Sequence, residues 1–134
     1  MDNYVEQAEK VIISLKKDRE GRPNLQYGQI AITSSQIRKL LSAVTLLNNQ
    51  IELLQMQGKL DEQYRQKFID EIRYLIVKFA YQEGRAKKGE LEFYKNAGLI
   101  DRLKKIENNI DQFKEFARYM EALVAFHKYY GGKD

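Results

Sequence analysis

The stretch Phe113–Asp134, FKEFARYMEALVAFHKYYGGKD, decides the fold. Phe113, Phe116, Ala117, Met120, Leu123, Val124, His127 and Tyr130 recur at helical spacing and line one apolar face, and no strand period runs through them. Gly131 and Gly132 follow the last periodic residue and offer the backbone freedom of a left-handed cap. Lys133 stands beyond them, where the helix dipole favours a cation. The segment reads as one amphipathic helix with a defined end, and its stripe needs other helices to cover it.

The same period recurs upstream. From Tyr4 to about Leu15 it sets Val5, Ala8, Val11, Ile12 and Leu15 on one side. The polar run Asp18–Gln29, DREGRPNLQYGQ, holds the only proline and breaks the pattern, so residues 18–32 are expected as an exposed, flexible loop that orders under a neighbour. Its Arg22 and Tyr27 read either as partner contacts or as solvated loop residues. Thr33 and Gln36 have the spacing of a capping box, flanked by Ile32 and Ile37 as a hydrophobic staple. Beyond it Ile37, Leu40, Leu41, Val44, Leu47, Ile51 and Leu54 form a stripe that ends at Gly58.

Asp61 is placed to cap a third helix, which buries Tyr64, Phe68, Ile72, Leu75, Ile76 and Phe79 and runs to Gly84. Short helices around Leu91–Tyr94 and Leu99–Ile106 lead through Asn108–Asn109 into the C-terminal helix. With one proline and no internal repeat, the 134 residues read as all-α: a single compact bundle of about five or six helices, 1–134, long enough for one core.

Composition narrows the function. The chain has no cysteine, which removes disulfides and thiolate metal sites, and one histidine, which removes His-based metal cages and two-histidine helix motifs. His127 lies on the apolar stripe and reads as a hydrogen-bonded core residue rather than a general base. No segment has the length of a membrane span or a secretory leader core, so a cytoplasmic protein is expected. No phosphate loop or nucleophile elbow occurs, and the carboxylates interleave with basic residues at helix-pair spacing. Neither catalysis nor a cofactor is expected. Glu121 borders the tail stripe, where a charge needs a salt-bridge partner.

Net charge +4 and pI ≈ 9.2 tilt the chain toward an acidic partner. Residues 59–89 hold eight Lys or Arg against five acids, which places most of that surplus in one segment. There Tyr74, Lys78, Tyr81 and Arg85 share a helical stripe outside the apolar one, followed by Lys87 and Lys88. Cations replace phosphate counterions and rings stack on bases, so this is a candidate RNA face, although an ordinary solvated face has the same spacing. Arg38 and Lys39 join it at a capped helix start, where Arg38 has Glu6 or Glu9 as an alternative partner. Arg118 and Lys128 on the last helix are further candidates that read equally as solvated charges.

The segment FARYMEALVAFHKYYGGKD from Phe116 closely resembles the C-terminal signature of the small helical subunit of the type III-A CRISPR (Csm) effector complex. YVEQAEKVI from Tyr4, ITSSQIRKLLS from Ile32 and VKFAYQEGR from Val77 agree in order, and NAGLIDRLKKI from Asn96 agrees more loosely. The resemblance implies a non-catalytic subunit of an RNA-guided antiviral ribonucleoprotein. Several copies would stack head to tail along the backbone-forming subunits, beside the large subunit, and hold the guide RNA and target RNA by their backbones. In that family cleavage belongs to the backbone subunit and cyclic-oligoadenylate synthesis to the large one. Head-to-tail stacking needs two unlike surfaces, for which Tyr129 or Tyr130, Tyr94, Tyr119 and the 18–29 loop are candidates. The residues alone leave a second reading open, a helical adaptor that binds another protein through its Tyr- and Met-bearing faces.

Overall fold

Each of the longer helices begins where a side chain captures a backbone N–H that the helix leaves free. The computed structural model describes residues 3 to 134, so residues 1 and 2 of the expected domain lie outside it. Asn3 accepts from the Glu6 N–H at 2.9 Å and opens α1 (Tyr4–Ser14). Thr33 and Gln36 close the capping box that opens α2 (Ser34–Met56). Asp61 caps α3 (Glu62–Gly84) through the Tyr64 N–H at 2.9 Å. Gly98, in the left-handed region at φ 62°, ends α4 (Lys88–Ala97) and opens α5 (Leu99–Ile106) without a gap. Asn109 caps α6 (Ile110–Tyr129).

The architecture is all-α, and six helices cover most of the described residues. α6 is its axis: α1, α2 and α5 pack on it, α3 packs on α5 and α2, and α4 covers α1. α3 also reaches α6 through rings, with Phe68 edge-on to Phe113 at 5.8 Å and Phe79 tilted against Phe116 at 6.2 Å. The stripes expected on α2, α3 and α6 face this core, with Leu41, Leu54, Tyr64, Ile76, Val124 and Tyr130 half-buried at its margin.

Four expectations change. Val5 is exposed, because α1 turns only Ala8, Val11 and Ile12 inward before Leu15 closes the helix. Tyr94 and Tyr119 are buried, so neither is an exposed anchor for stacking. The Tyr119 hydroxyl donates to the Ala97 carbonyl at 2.9 Å, and the Arg102 guanidinium lies 3.8 Å from the ring centre, because α6 is flanked on two sides and buries more than one stripe. Glu121 is exposed and needs no buried partner.

The 18–32 stretch is mostly exposed up to residue 29, but Ile30 and Ile32 enter the core. Lys17 exchanges backbone hydrogen bonds with Gln29, at 3.0 and 2.8 Å, while the Asp18 carboxylate takes the Glu20 and Arg22 N–H groups. A side chain at Gly28 would collide with the Asn24 carbonyl, so this closure depends on glycine.

His127 is fully buried, as its place in the stripe predicts. Its Nε2–H donates to the Ile32 carbonyl at 2.8 Å and ties the end of α6 to the entry of α2. The tail then doubles back. Gly132 N–H donates to the His127 carbonyl and Ser34 N–H to the Lys133 carbonyl, both at 2.7 Å.

Candidate nucleic-acid interface

The cations singled out in the sequence are all exposed, but the fold gathers only some of them. The first turns of α2 and the last three turns of α3 run side by side and leave two adjoining recesses. The larger, about 470 Å³, is lined by Lys39, Leu40, Ala43, Tyr74, Val77 and Lys78, among others. The smaller, about 330 Å³, is lined by Gln36, Lys39, Arg85, Lys87, Glu90 and Tyr94, among others. Lys39 and Gln82 belong to both, so the two form one continuous trough. Lys39, Lys78, Arg85 and Lys87 therefore line one trough, although the first and the last are 48 positions apart.

Arg38, one residue from Lys39, and Lys88, one from Lys87, line neither recess. Among the described residues Arg38 has no ion pair with Glu6 or Glu9. The Glu9 carboxylate instead accepts from the Tyr130 hydroxyl at 2.7 Å. Arg118 and Lys128 sit on α6 and also line neither recess.

The expected α3 stripe is real. Lys78 Nζ lies 4.5 Å from the Tyr74 ring centre, and the Arg85 guanidinium 5.6 Å from that of Tyr81. Both rings are more than half exposed, each with a cation on one face. Val77, equally exposed, completes an apolar row between them. Sequence reasoning missed Val77 as a surface residue, although its i, i+3, i+7 register with Tyr74 and Tyr81 was there to be read.

The ion pairs among the described residues, Lys17 with Glu92 and Arg73 with Asp70, involve none of the four trough cations. One carboxylate enters the trough. Glu90 accepts from the Gln36 amide at 2.9 Å and from the Lys87 backbone N–H at 3.3 Å. The Gln36 bond first, then the Lys87 N–H and the charges of Lys87 and Arg85, hold its carboxyl below the usual range. Beneath it the Tyr94 hydroxyl is pushed up to about 12, first by burial and then by the charges of Glu90 and Glu83. Glu90 thus acts as a clamp between the α2 start and the α3–α4 turn. Sequence alone does not mark it, because Gln36 already had a role in the capping box and Glu90 lies 54 positions away.

This arrangement can neutralise phosphates and offer ring faces. Among the described residues no cluster of His, Cys, Asp or Glu is placed to hold a metal ion, and no helix is long and apolar enough to cross a membrane.

Comparison with known proteins gives a consistent picture. The family model described as Csm2 Type III-A matches residues 13–133. A Streptococcus thermophilus protein named CRISPR system Cms protein Csm2 is 40% identical over 135 residues, covering 99% of this chain and 95% of its own. Proteins of the same name from Mycobacterium tuberculosis (strain CDC 1551 / Oshkosh) and Enterococcus italicus are 36% and 32% identical, covering 99% and 92% of this chain and 95% and 86% of their own. Agreement at this level, carried from the first helix through the capped tail, establishes that the chain belongs to the Csm2 family of type III-A CRISPR systems.

Proposed function

We propose that this chain is a non-catalytic small subunit of a cytoplasmic, RNA-guided type III-A effector complex that grips the guide and target RNA by their sugar-phosphate backbones. The observation that carries this reading is the trough, where Lys39, Lys78, Arg85 and Lys87 converge beside exposed tyrosines with Glu90 as the one carboxylate in the lining. Positive potential on a rigid surface is enough to hold a polyanion without reading its sequence, because phosphate contacts position the strand and base contacts specify it. The proposed contact set narrows to these four cations, with Arg38, Lys88, Arg118 and Lys128 as outlying charges.

Apolar surface away from the trough suits contacts with the backbone-forming and large subunits and with further copies of the chain. Leu46, Leu53 and Met56 are exposed on one side of α2, and Met56 lies 17 residues from Lys39, roughly 25 Å along the helix. Leu25 and Tyr27 are exposed on the loop. Two unlike apolar patches are what an open head-to-tail array requires.

The test is target binding by the reconstituted complex carrying Lys39→Glu and Arg85→Glu. Affinity should fall at least about tenfold near physiological salt, and the salt dependence should flatten by about one unit of slope per lost contact. A complex that assembles normally and binds with unchanged affinity and slope would remove the trough from the RNA path.

A further inference from the structure

A backbone grip needs cations and nothing else, yet the larger recess is built mainly from apolar atoms. Leu40, Ala43 and Val77 contribute to its lining, the rings of Tyr74 and Tyr81 stand on the same outer row of α3, and Lys39 and Lys78 complete it. Its volume, about 470 Å³, falls within the range of ligand-sized clefts, roughly 300–1,000 Å³. Val77 is 62% exposed between two tyrosines that are themselves more than half exposed, an uncovered apolar row on an otherwise polar helix face. Lys78 and Arg85 each lie over one ring in a cation–π contact, which favours this ring orientation before any ligand arrives.

We infer that this recess receives a single unstacked nucleobase, with the flanking phosphates on Lys39 and Lys78. The inference rests on the backbone-gripping reading and extends it. Charge complementarity selects the occupant. A ligand here must be anionic enough to meet Lys39 and Lys78, yet must present a flat or apolar group to the tyrosine–valine row, and a nucleotide out of its stack does both. A continuous duplex does only the first, because its bases are stacked inside. The recess therefore recognises an unpaired or extruded nucleotide of either strand. It does so whatever the base, since every base has a π-face and the apolar row offers no hydrogen-bond code.

The test uses the assembled complex and two sets of target RNA, one fully complementary to the guide and one with an unpaired nucleotide moved stepwise along it. Each unpaired position is also made as an abasic ribose. Tyr74→Ala with Tyr81→Ala should weaken binding roughly ten- to a hundredfold at the positions that reach the recess, while leaving the fully paired and abasic targets nearly unchanged. Tyr74→Phe with Tyr81→Phe should restore wild-type affinity, and neither pair should alter the salt slope, since no cation is lost.

A second readout needs no variant: 2-aminopurine at the same unpaired position should lose fluorescence in the wild-type complex relative to its neighbours. Equal weakening of paired, unpaired and abasic targets, or 2-aminopurine equally bright at every position, would overturn the proposal. If Lys39→Glu with Arg85→Glu weakens binding while the tyrosine variants do not, only the base site falls. If both leave RNA binding intact, the backbone reading falls too, and the row is left as a surface for a protein partner.

Discussion

Gly132→Ala should destabilise the protein, and it should do so only while His127 is present. Gly132 does not have a positive φ, so alanine meets no backbone strain there. The obstacle is the imidazole, since a Cβ built on Gly132 overlaps His127 at Cε1, Nδ1 and Nε2. Two responses are open to the chain. The ring and tail can both yield, which is overpacking of a fully buried site at a cost of about 1–3 kcal/mol. Alternatively the tail can lift off, which gives up Gly132 N–H to the His127 carbonyl and Ser34 N–H to the Lys133 carbonyl, about 0.5–1.5 kcal/mol each. Either route costs about 1–3 kcal/mol, offset by about 0.4–1 kcal/mol because alanine restricts the unfolded chain.

The net loss is about 1–2 kcal/mol, a Tm lower by roughly 3–10 °C for a domain of this size. Removing the ring reverses the sign. In a His127→Ala background the methyl group has room, and Gly132→Ala should be neutral or stabilising by up to about 1 kcal/mol. A double-mutant cycle by urea denaturation, followed by circular dichroism, should therefore return a coupling of about 1–3 kcal/mol. An equal cost in both backgrounds, or a cost below about 0.3 kcal/mol in the wild type, would refute the packing of the tail over the imidazole.

Glu107, at φ 51°, is the one non-glycine residue with positive φ among the described residues, a conformation that stores about 1–3 kcal/mol; Glu107→Gly should raise the urea midpoint despite its looser unfolded chain. Tyr94 and Tyr130 are pushed up to about 12, Tyr94 first by burial and Tyr130 first by its hydrogen bond to Glu9, against 10.0 unfolded. The folded state therefore keeps protons that the unfolded state has lost, so stability should be intact below pH 10 and fall as pH rises toward 12. Urea midpoints measured at pH 9, 10 and 11 should show that decline, and it should be shallower in Tyr130→Phe. Arg38→Glu, outside the trough, should weaken RNA binding by the assembled complex less than Arg85→Glu does, and Arg118→Glu with Lys128→Glu less again; equal losses in titrations at matched salt would spread the contact across the whole basic surface.

Most of the fold was legible in the sequence because its signals are local. A capping box, a staple, an Asp cap and glycine stops each involve residues within a few positions, and the apolar period needs only one helix at a time. What could not be read was how many sides of a helix have neighbours. Tyr119 lies off the α6 stripe and looks exposed until the end of α4 brings the Ala97 carbonyl to its hydroxyl. Val5 fails in the opposite way, on the stripe of α1 but beyond the reach of its partners. The candidate site divides along the same line. The Tyr74–Lys78–Tyr81–Arg85 row is one face of one helix and follows from spacing alone. The junction of that row with Lys39 depends on how α2 meets α3, which no local pattern specifies.

Glu90 shows why that junction holds at all. Four cations in one trough repel each other, and two short helical connections would relieve the repulsion by letting the α3–α4 turn swing away from α2. A carboxylate at this point lowers the local positive potential and so weakens the attraction for a polyanion. It also accepts from Gln36 on one side and from the Lys87 backbone on the other, which fixes Arg85 and Lys87 against Lys39. Because Glu90 is held below the ordinary carboxylate range, the clamp is fully charged at neutral pH, and its contribution is lost only as pH falls through that lowered value. Glu90→Gln separates the two effects. Attraction gains when the negative charge goes, while geometry loses a charged acceptor. If position matters more than potential, the variant complex should bind RNA more weakly despite its higher net charge, and tighter binding would assign Glu90 to electrostatic damping alone.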